Sequence, residues 1–199
     1  MTFMSKNYNY NKAIFDILEK SPGVKSVFSQ DGFIEYQNGL ADVRYGDMPA
    51  SYGACGAIAV WNVLHSFRIA PEKAKLFEEM EKGVILGSRL GTEVFFVKKY
   101  LSGRGHRVNM YFCLKEFKKA FASAGIIYYI KKNLRAHYVA FTPAGVNNKG
   151  EKLYRFHNAA TGSYWKNFNG INYINNIPMT MDEFLEGSEA KVQVFYDVR

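Results

Sequence analysis

The stretch that most constrains this chain is "GAIAVWNVLHSF", residues 56–67. Nearly every position is apolar, so a helix here has no face to offer water and must be enclosed on most sides. Enclosure needs a sizeable core around it. The chain has the material, with 199 residues, 48% of them hydrophobic and 16% aromatic. That length suits one compact domain. No internal repeat, low-complexity tract or Pro/Ser-rich linker divides it, so a single domain over residues 1–199 is expected.

Around this central helix the pattern alternates between the two common periods. Residues 10–20, "YNKAIFDILEK", show helical spacing and stop at Ser21-Pro22-Gly23. A hairpin follows, "VKSVFSQ" and "FIEYQ" joined by Asp31-Gly32 and ended by Asn38-Gly39. "ADVRYGDMPASYGA" reads as an irregular approach to Cys55. Further helices are expected over 71–82, with Pro71 in the first turn, over 92–103, capped by Thr92, and over 114–124. Strands are expected at "HRVNMYF", "GIIYYIKK", "HYVAFT", "KLYRFHN" and "KVQVFYDV", with "PMTMDEFLEG" a capped helix before the last. Helices come first and a mostly antiparallel sheet second. This ordering indicates an α+β architecture, with the central helix packed on the sheet.

The formal net charge is +8, with the Lys and Arg residues dispersed rather than run together. Such a surface attracts acidic partners, whether peptide, nucleic acid or cell-wall polymer, without naming one. No RNP-like or zinc-finger pattern accompanies it, so nucleic acid is not indicated. No CxxC, HxxxH or HExxH occurs, and "GVILGSRLG" lacks both the ending of a phosphate loop and the serine placement of a nucleophile elbow. No metal or cofactor is expected. Nowhere do eighteen apolar residues run together, and the N-terminus has no secretory pattern, which reads as a cytoplasmic protein. The two cysteines, Cys55 and Cys113, are then free thiols in a reduced compartment. The aromatic stretch "GSYWKNFNGINYINN" suits either a cleft lining or tyrosines in edge strands and loops.

Cys55 stands directly before the buried helix, between Ala54 and Gly56. The thiolate is the attacking form of cysteine, and a helix N-terminus favours an anion. Gly53, Ala54 and Gly56 read as leaving room for a substrate backbone and for an N–H aimed at an oxyanion. The alternative is a cysteine buried for packing alone. A base must decide between the two readings.

The chain has four histidines. His65 lies ten residues down the same helix, about 15 Å along its axis, too far to act on Cys55. His106 sits in a Gly-Arg-Gly-His turn, where solvent is the default. His137 opens the strand "HYVAFT". If this strand pairs with "KLYRFHN" in a hairpin centred on Asn147-Asn148, Thr142 faces Leu153 and His137 faces Asn158. An Asn carbonyl can hold one imidazole nitrogen and so fix the ring's tautomer and direction. His157 points with Arg155 to the other face and is the reserve base. Asn62, seven residues after Cys55, is read as bonding a buried backbone group.

"ACGAIAVWNVL", "GTEVFFVKKYLSGRGHRV", "HYVAFTPAG" and "YRFHNAATG" resemble the papain-like cysteine peptidase superfamily, particularly its C39-like branch, over roughly residues 45–165. The resemblance implies a papain-like fold, with Cys55 as nucleophile, His137 as general base and acid, and Asn158 as the orienting residue. One position departs from the pattern. Such enzymes carry a glutamine six residues before the cysteine as an oxyanion-hole donor, and here that position is Pro49. Tyr52 and Ser51 are the nearest substitutes, and Gln37 reaches the site only if the intervening loop folds back.

The function expected is hydrolysis of an amide or isopeptide bond in a peptide or protein substrate, acidic for preference, through an acyl-enzyme. Acyl transfer of transglutaminase-like chemistry is the neighbouring expectation. Pro49 also leaves room for a catalytically silent domain that binds an acidic protein or polymer.

Overall fold

A computed structural model describes residues 7–21, 27–120, 123–131, 136–159 and 177–199. Several expectations lie outside the described residues: the Pro22-Gly23 stop, the opening of the first predicted strand, the end of the helix expected over 114–124, Lys132, residues 160–162 of the motif "YRFHNAATG", and all of "GSYWKNFNGINYINN". Helices and a fully antiparallel five-stranded sheet make up the fold, and the α+β class follows directly. The chain divides into two compact units, Met1–Tyr100 and Leu101–Arg199. Among the described residues no helix is long and apolar enough to cross a membrane.

The first unit is helical. It opens with α1 (Tyr8–Lys20), then a short hairpin of β1 (Arg44–Tyr45) and β2 (Met48–Pro49). The single turn α2 (Ala50–Gly53) leads into α3 (Cys55–Ser66), followed by α4 (Lys73–Met80) and α5 (Val94–Gly103), whose residues from Leu101 onward are counted with the second unit. From Cys55 to Leu64 every residue of α3 is buried, as its apolar sequence demands.

Two asparagines fasten this unit in the same way. Asn62, fully buried on α3, accepts from the Ile34 N–H at 2.8 Å and donates to the Ile34 carbonyl at 2.9 Å. Its carboxamide therefore stands in for a strand partner of Ile34, and the backbone role read from sequence holds. Asn11 of α1 does the same for Arg44, with both contacts at 2.8 Å. The predicted hairpin around Asp31-Gly32 is present as one bridge, Phe28 to Ile34, with Gly32 at φ +85°. Ile34 at its far end is the residue that Asn62 holds.

Several boundaries move for identifiable reasons. The helix expected to be capped by Thr92 is capped instead by Glu93, whose carboxylate accepts from the N–H groups of Phe95 at 2.8 Å and Phe96 at 2.6 Å. Thr92 is buried and paired with Tyr45. The helix expected over 71–82 is trimmed to α4, because Glu81–Gly83 tightens into a 3-10 turn. The approach to Cys55, expected to be irregular, contains β1, β2 and α2.

The second unit is the sheet. Its strands are β3 (Val108–Tyr111), β4 (Ala124–Lys131), β5 (Ala136–Val146), β6 (Lys152–His157) and β7 (Ala190–Val198), in the order β3-β7-β4-β5-β6. The helix expected over 114–124 shrinks to α6 (Leu114–Phe117), because Ala124 is already paired with Val198 in the sheet. The predicted capped helix is α7 (Met181–Gly187), with a full capping box between Thr180 and Glu183. One sheet face carries an aromatic core in which Phe156 stacks on Phe184 at 3.9 Å and Phe117 on Phe195 at 4.8 Å.

The β5–β6 hairpin differs from expectation in register. Its loop runs from Asn147 to Glu151, closed by Asn147 N–H to Glu151 O at 3.0 Å and by the Asn147 side chain accepting from Lys149 and Glu151. Thr142 consequently faces Arg155 rather than Leu153, a slip of two residues. At Val146, which faces Lys152, the slip is three. An irregularity between Pro143 and Gly145, with Gly145 at φ +107°, takes one residue back. Because side chains alternate with period two, an even slip leaves every β5 residue before it on its expected face.

Candidate active site

Cys55 is the first residue of α3, 7% exposed, and among the described residues no side chain caps the helix start. A helix N-terminus of this kind favours an anion at its first turn. Cys113, by contrast, is exposed.

The glycines around Cys55 do not leave the room that was read from them. A Cβ on Gly53 would lie 2.5 Å from the Ser88 carbonyl oxygen, and one on Gly56 would lie 2.6 Å from Thr92 Oγ1. Both positions are small because the segment 84–92 is pressed against them. This segment is bridged at its ends by Val84 and Thr92 and carries consecutive positive φ angles at Leu86, Gly87 and Ser88. The two small residues at 53 and 56 are a sequence signal for such a close approach. The residues that make the approach, Ser88 and Thr92, were missed as site neighbours.

Of the oxyanion-hole candidates, Gln37 folds back onto α2, where its amide N–H groups are engaged by main-chain carbonyls. Its carboxamide nitrogen donates to the carbonyls of Ala50 at 3.0 Å and Ser51 at 3.2 Å, tying it to α2 just ahead of Cys55. Ser51 and Tyr52 lie within α2, Tyr52 being 65% exposed. Pro49 pairs with Arg44 in the β1–β2 hairpin and sits before the first turn of α2 at φ −59°. A missing N–H costs the helix nothing there, since the residue before the first turn donates no bond within it.

In the second unit, His137 lies near the start of β5, opposite Tyr129, whose ring meets the imidazole edge-on at 5.9 Å. Its Nε2 is 2.8 Å from the backbone carbonyl oxygen of Asn158. A carbonyl can only accept, so Nε2 carries the hydrogen and donates, and in the neutral ring Nδ1 carries the basic lone pair. Asn158 is buried just past the end of β6 and has φ +59°, a conformation that asparagine adopts more readily than most residues. The expected pairing of His137 directly opposite Asn158 is not the register formed, since Ala140 faces His157; the two residues meet instead through the main-chain oxygen of Asn158, not its carboxamide.

His157 and His65 have structural surroundings. His157 is buried and shares a hydrogen bond with Thr142 Oγ1 at 3.0 Å, on the face it was assigned by alternation. His65 stacks on Trp61 at 4.6 Å, and its Nε2 is 2.8 Å from the Asp31 carbonyl oxygen. That contact ties the hairpin turn to α3.

No family model and no curated protein matches the sequence. Among solved structures, the chain is similar to the peptidase domain of Streptococcus ComA, a bifunctional ABC transporter involved in a quorum-sensing pathway. The likeness has 16% identity and a TM-score of 0.45, over 71% of this chain and 88% of that one.

Proposed function

We propose that this protein is a thiol hydrolase of papain-like chemistry, acting on an amide or isopeptide carbonyl of a peptide or protein. Cys55 is the nucleophile, His137 the general base and acid, and Asn158 the residue that orients the imidazole. The observation that supports this best is the hydrogen bond from His137 Nε2 to the Asn158 carbonyl, which leaves Nδ1 as the proton-accepting atom. A base fixed in one tautomer is what a cysteine nucleophile requires. The uncapped N-terminus of α3 is a setting that favours its thiolate, against the opposing effect of burial.

In this reading His137 Nδ1 takes the thiol proton, and the sulfur attacks the carbonyl carbon. N–H groups at the start of α3 stabilise the oxyanion, with Gln37 holding α2 in place and Ser51 and Tyr52 as neighbouring donors. Collapse of the adduct expels the amine, which receives the proton from Nδ1, and leaves a thioester on Cys55. Water, deprotonated by the same nitrogen, then attacks the thioester, the C–S bond breaks to release the acid, and the proton passes from Nδ1 to the departing Cys55 sulfur. An amine in place of water gives acyl transfer by the same steps.

The test is labelling with a thiol-directed alkylating reagent. Cys55 is buried and Cys113 exposed, so accessibility alone favours Cys113. Labelling confined to Cys55, abolished by His137→Ala and falling below about pH 6 as the imidazole protonates, is the expected result. Equal labelling of both thiols, or a preference for Cys113, counts against the reading.

A second reading is supported by Pro49 at the position where the resembled enzymes carry glutamine, together with the net charge of +8. It is a silent domain that binds an acidic protein or polymer. Binding that survives Cys55→Ser but is lost as salt rises would favour it.

A further inference from the structure

Tyr45 is fully buried, and Thr92 is 3% exposed. The Tyr45 phenol lies 3.2 Å from the Met80 carbonyl oxygen and 2.8 Å from Thr92 Oγ1. Because the carbonyl can only accept, the phenol proton goes to Met80, and the phenol oxygen accepts from the Thr92 hydroxyl. The chain of hydroxyls therefore has one direction, and it holds the Thr92 side chain in one rotamer. Burial keeps the phenol protonated by pushing its pKa up. A thiolate at Cys55 adds to that rise, while the Thr92 hydrogen bond partly opposes it.

The same tyrosine is also held through its backbone. Ser88 Oγ donates to the Tyr45 carbonyl at 2.6 Å, and it is the Ser88 carbonyl that presses on Gly53. Thr92 presses on Gly56. Cys55 stands between those two glycines, and both contacts lead back to Tyr45, one by its main chain and one by its phenol.

We propose that Tyr45 and Thr92 are positioning residues for Cys55: the directed hydroxyl chain seats Thr92 against Gly56 and thereby sets the first turn of α3 and the aim of the thiol. The inference rests on the reading of Cys55 as a nucleophile.

The experiment measures the rate at which iodoacetamide alkylates Cys55 in the full chain, with Cys113 as an internal reference. Thr92→Val keeps the shape but cannot donate to Tyr45. Tyr45→Phe removes the acceptor, and Thr92→Ser restores the donor without the methyl group. Thr92→Val and Tyr45→Phe are each expected to lower the Cys55 rate by about tenfold, the worth of one ordinary hydrogen bond. Thr92→Ser is expected to stay near wild type, and Cys113 to be unchanged throughout.

Mere loosening of the fold would act in the opposite direction, because exposing a buried thiol speeds its alkylation. A rate unchanged or raised in both Thr92→Val and Tyr45→Phe, or Ser and Val variants that behave alike, overturns the inference alone. If Thr92→Val does not fold, Tyr45→Phe decides the matter. A wild-type Cys55 that reacts no faster than Cys113 overturns the functional reading and this inference with it.

Discussion

The imidazole of His137 is held by the main chain of Asn158, whose carbonyl oxygen lies 2.8 Å from Nε2. Asn158 presents that oxygen from a backbone at φ +59°. The identity of residue 158 therefore matters first for the conformation it permits, and glycine permits it at least as readily as asparagine. Asn158→Gly is expected to keep the Cys55 alkylation rate near wild type. Asn158→Ala is expected to lower the melting temperature, since forcing a Cβ into this region costs about 1–2 kcal/mol. If the carboxamide is what orients the ring, glycine and alanine will lower the alkylation rate equally.

The glycines flanking Cys55 give a second prediction. At Gly56 the obstructing atoms are Oγ1 and Cβ of Thr92, which yield only if that side chain gives up its bond to Tyr45 and its Cβ shifts, but at Gly53 the closest is a backbone oxygen, which yields only if the main chain of the segment 84–92 moves. Gly53→Ala is thus expected to be the more destabilising of the two, with overpacking of this kind costing about 1–3 kcal/mol. Urea denaturation midpoints measure the order. Two alanine variants as stable as wild type would mean that the segment 84–92 moves aside, leaving the room first read from the sequence.

Asn62→Ala removes both hydrogen bonds to Ile34 and leaves a buried N–H and carbonyl without partners. Each orphaned group costs about 1–3 kcal/mol, so this substitution should rank among the most destabilising single changes in α3. Hydrogen exchange would report the loss locally, with the Ile34 amide protected in the wild type and exchanging freely in the variant.

Glu81 gives a prediction about pH. Burial raises its pKa, against the lowering effect of hydrogen bonds from Asn7 and the Gly46 backbone. The folded state then holds the proton more tightly than the unfolded chain, so the stability linked to this group is full below the ordinary carboxylate pKa and is lost as pH rises through the raised one. Glu81→Gln keeps an oxygen for Asn7 and does not ionise. Its melting temperature should gain on the wild type as pH rises from 4 to 7, and a constant difference across that range would refute the assignment.

The central helix, the sheet strands, the capping box of α7 and the backbone role of Asn62 were all legible in the sequence, because each rests on a local pattern or on a buried polar group that must find a partner. His137 and Asn158 were paired from a hairpin register centred on Asn147-Asn148, and that register was two residues out. The loop was misjudged because its length depends on the Asn147 side chain closing five residues rather than two. The Tyr45–Thr92 pair left no local trace, since its members are distant in sequence and meet only through the fold. Gly53 and Gly56 did mark the place, but a missing side chain reads the same whether the space is filled by substrate or by the protein's own chain.

The irregularity beside Gly145 has a consequence for how this hairpin tolerates insertion and deletion. Ala144 is the spare residue between two paired positions, Pro143 with Tyr154 and Gly145 with Leu153, so a chain shortened there would keep every neighbour it now has. One residue lost between His137 and Pro143 would instead rotate the imidazole through half a turn, to the side of the sheet opposite Phe156. Length in this hairpin is therefore free to drift on one side of Pro143 and locked in steps of two on the other.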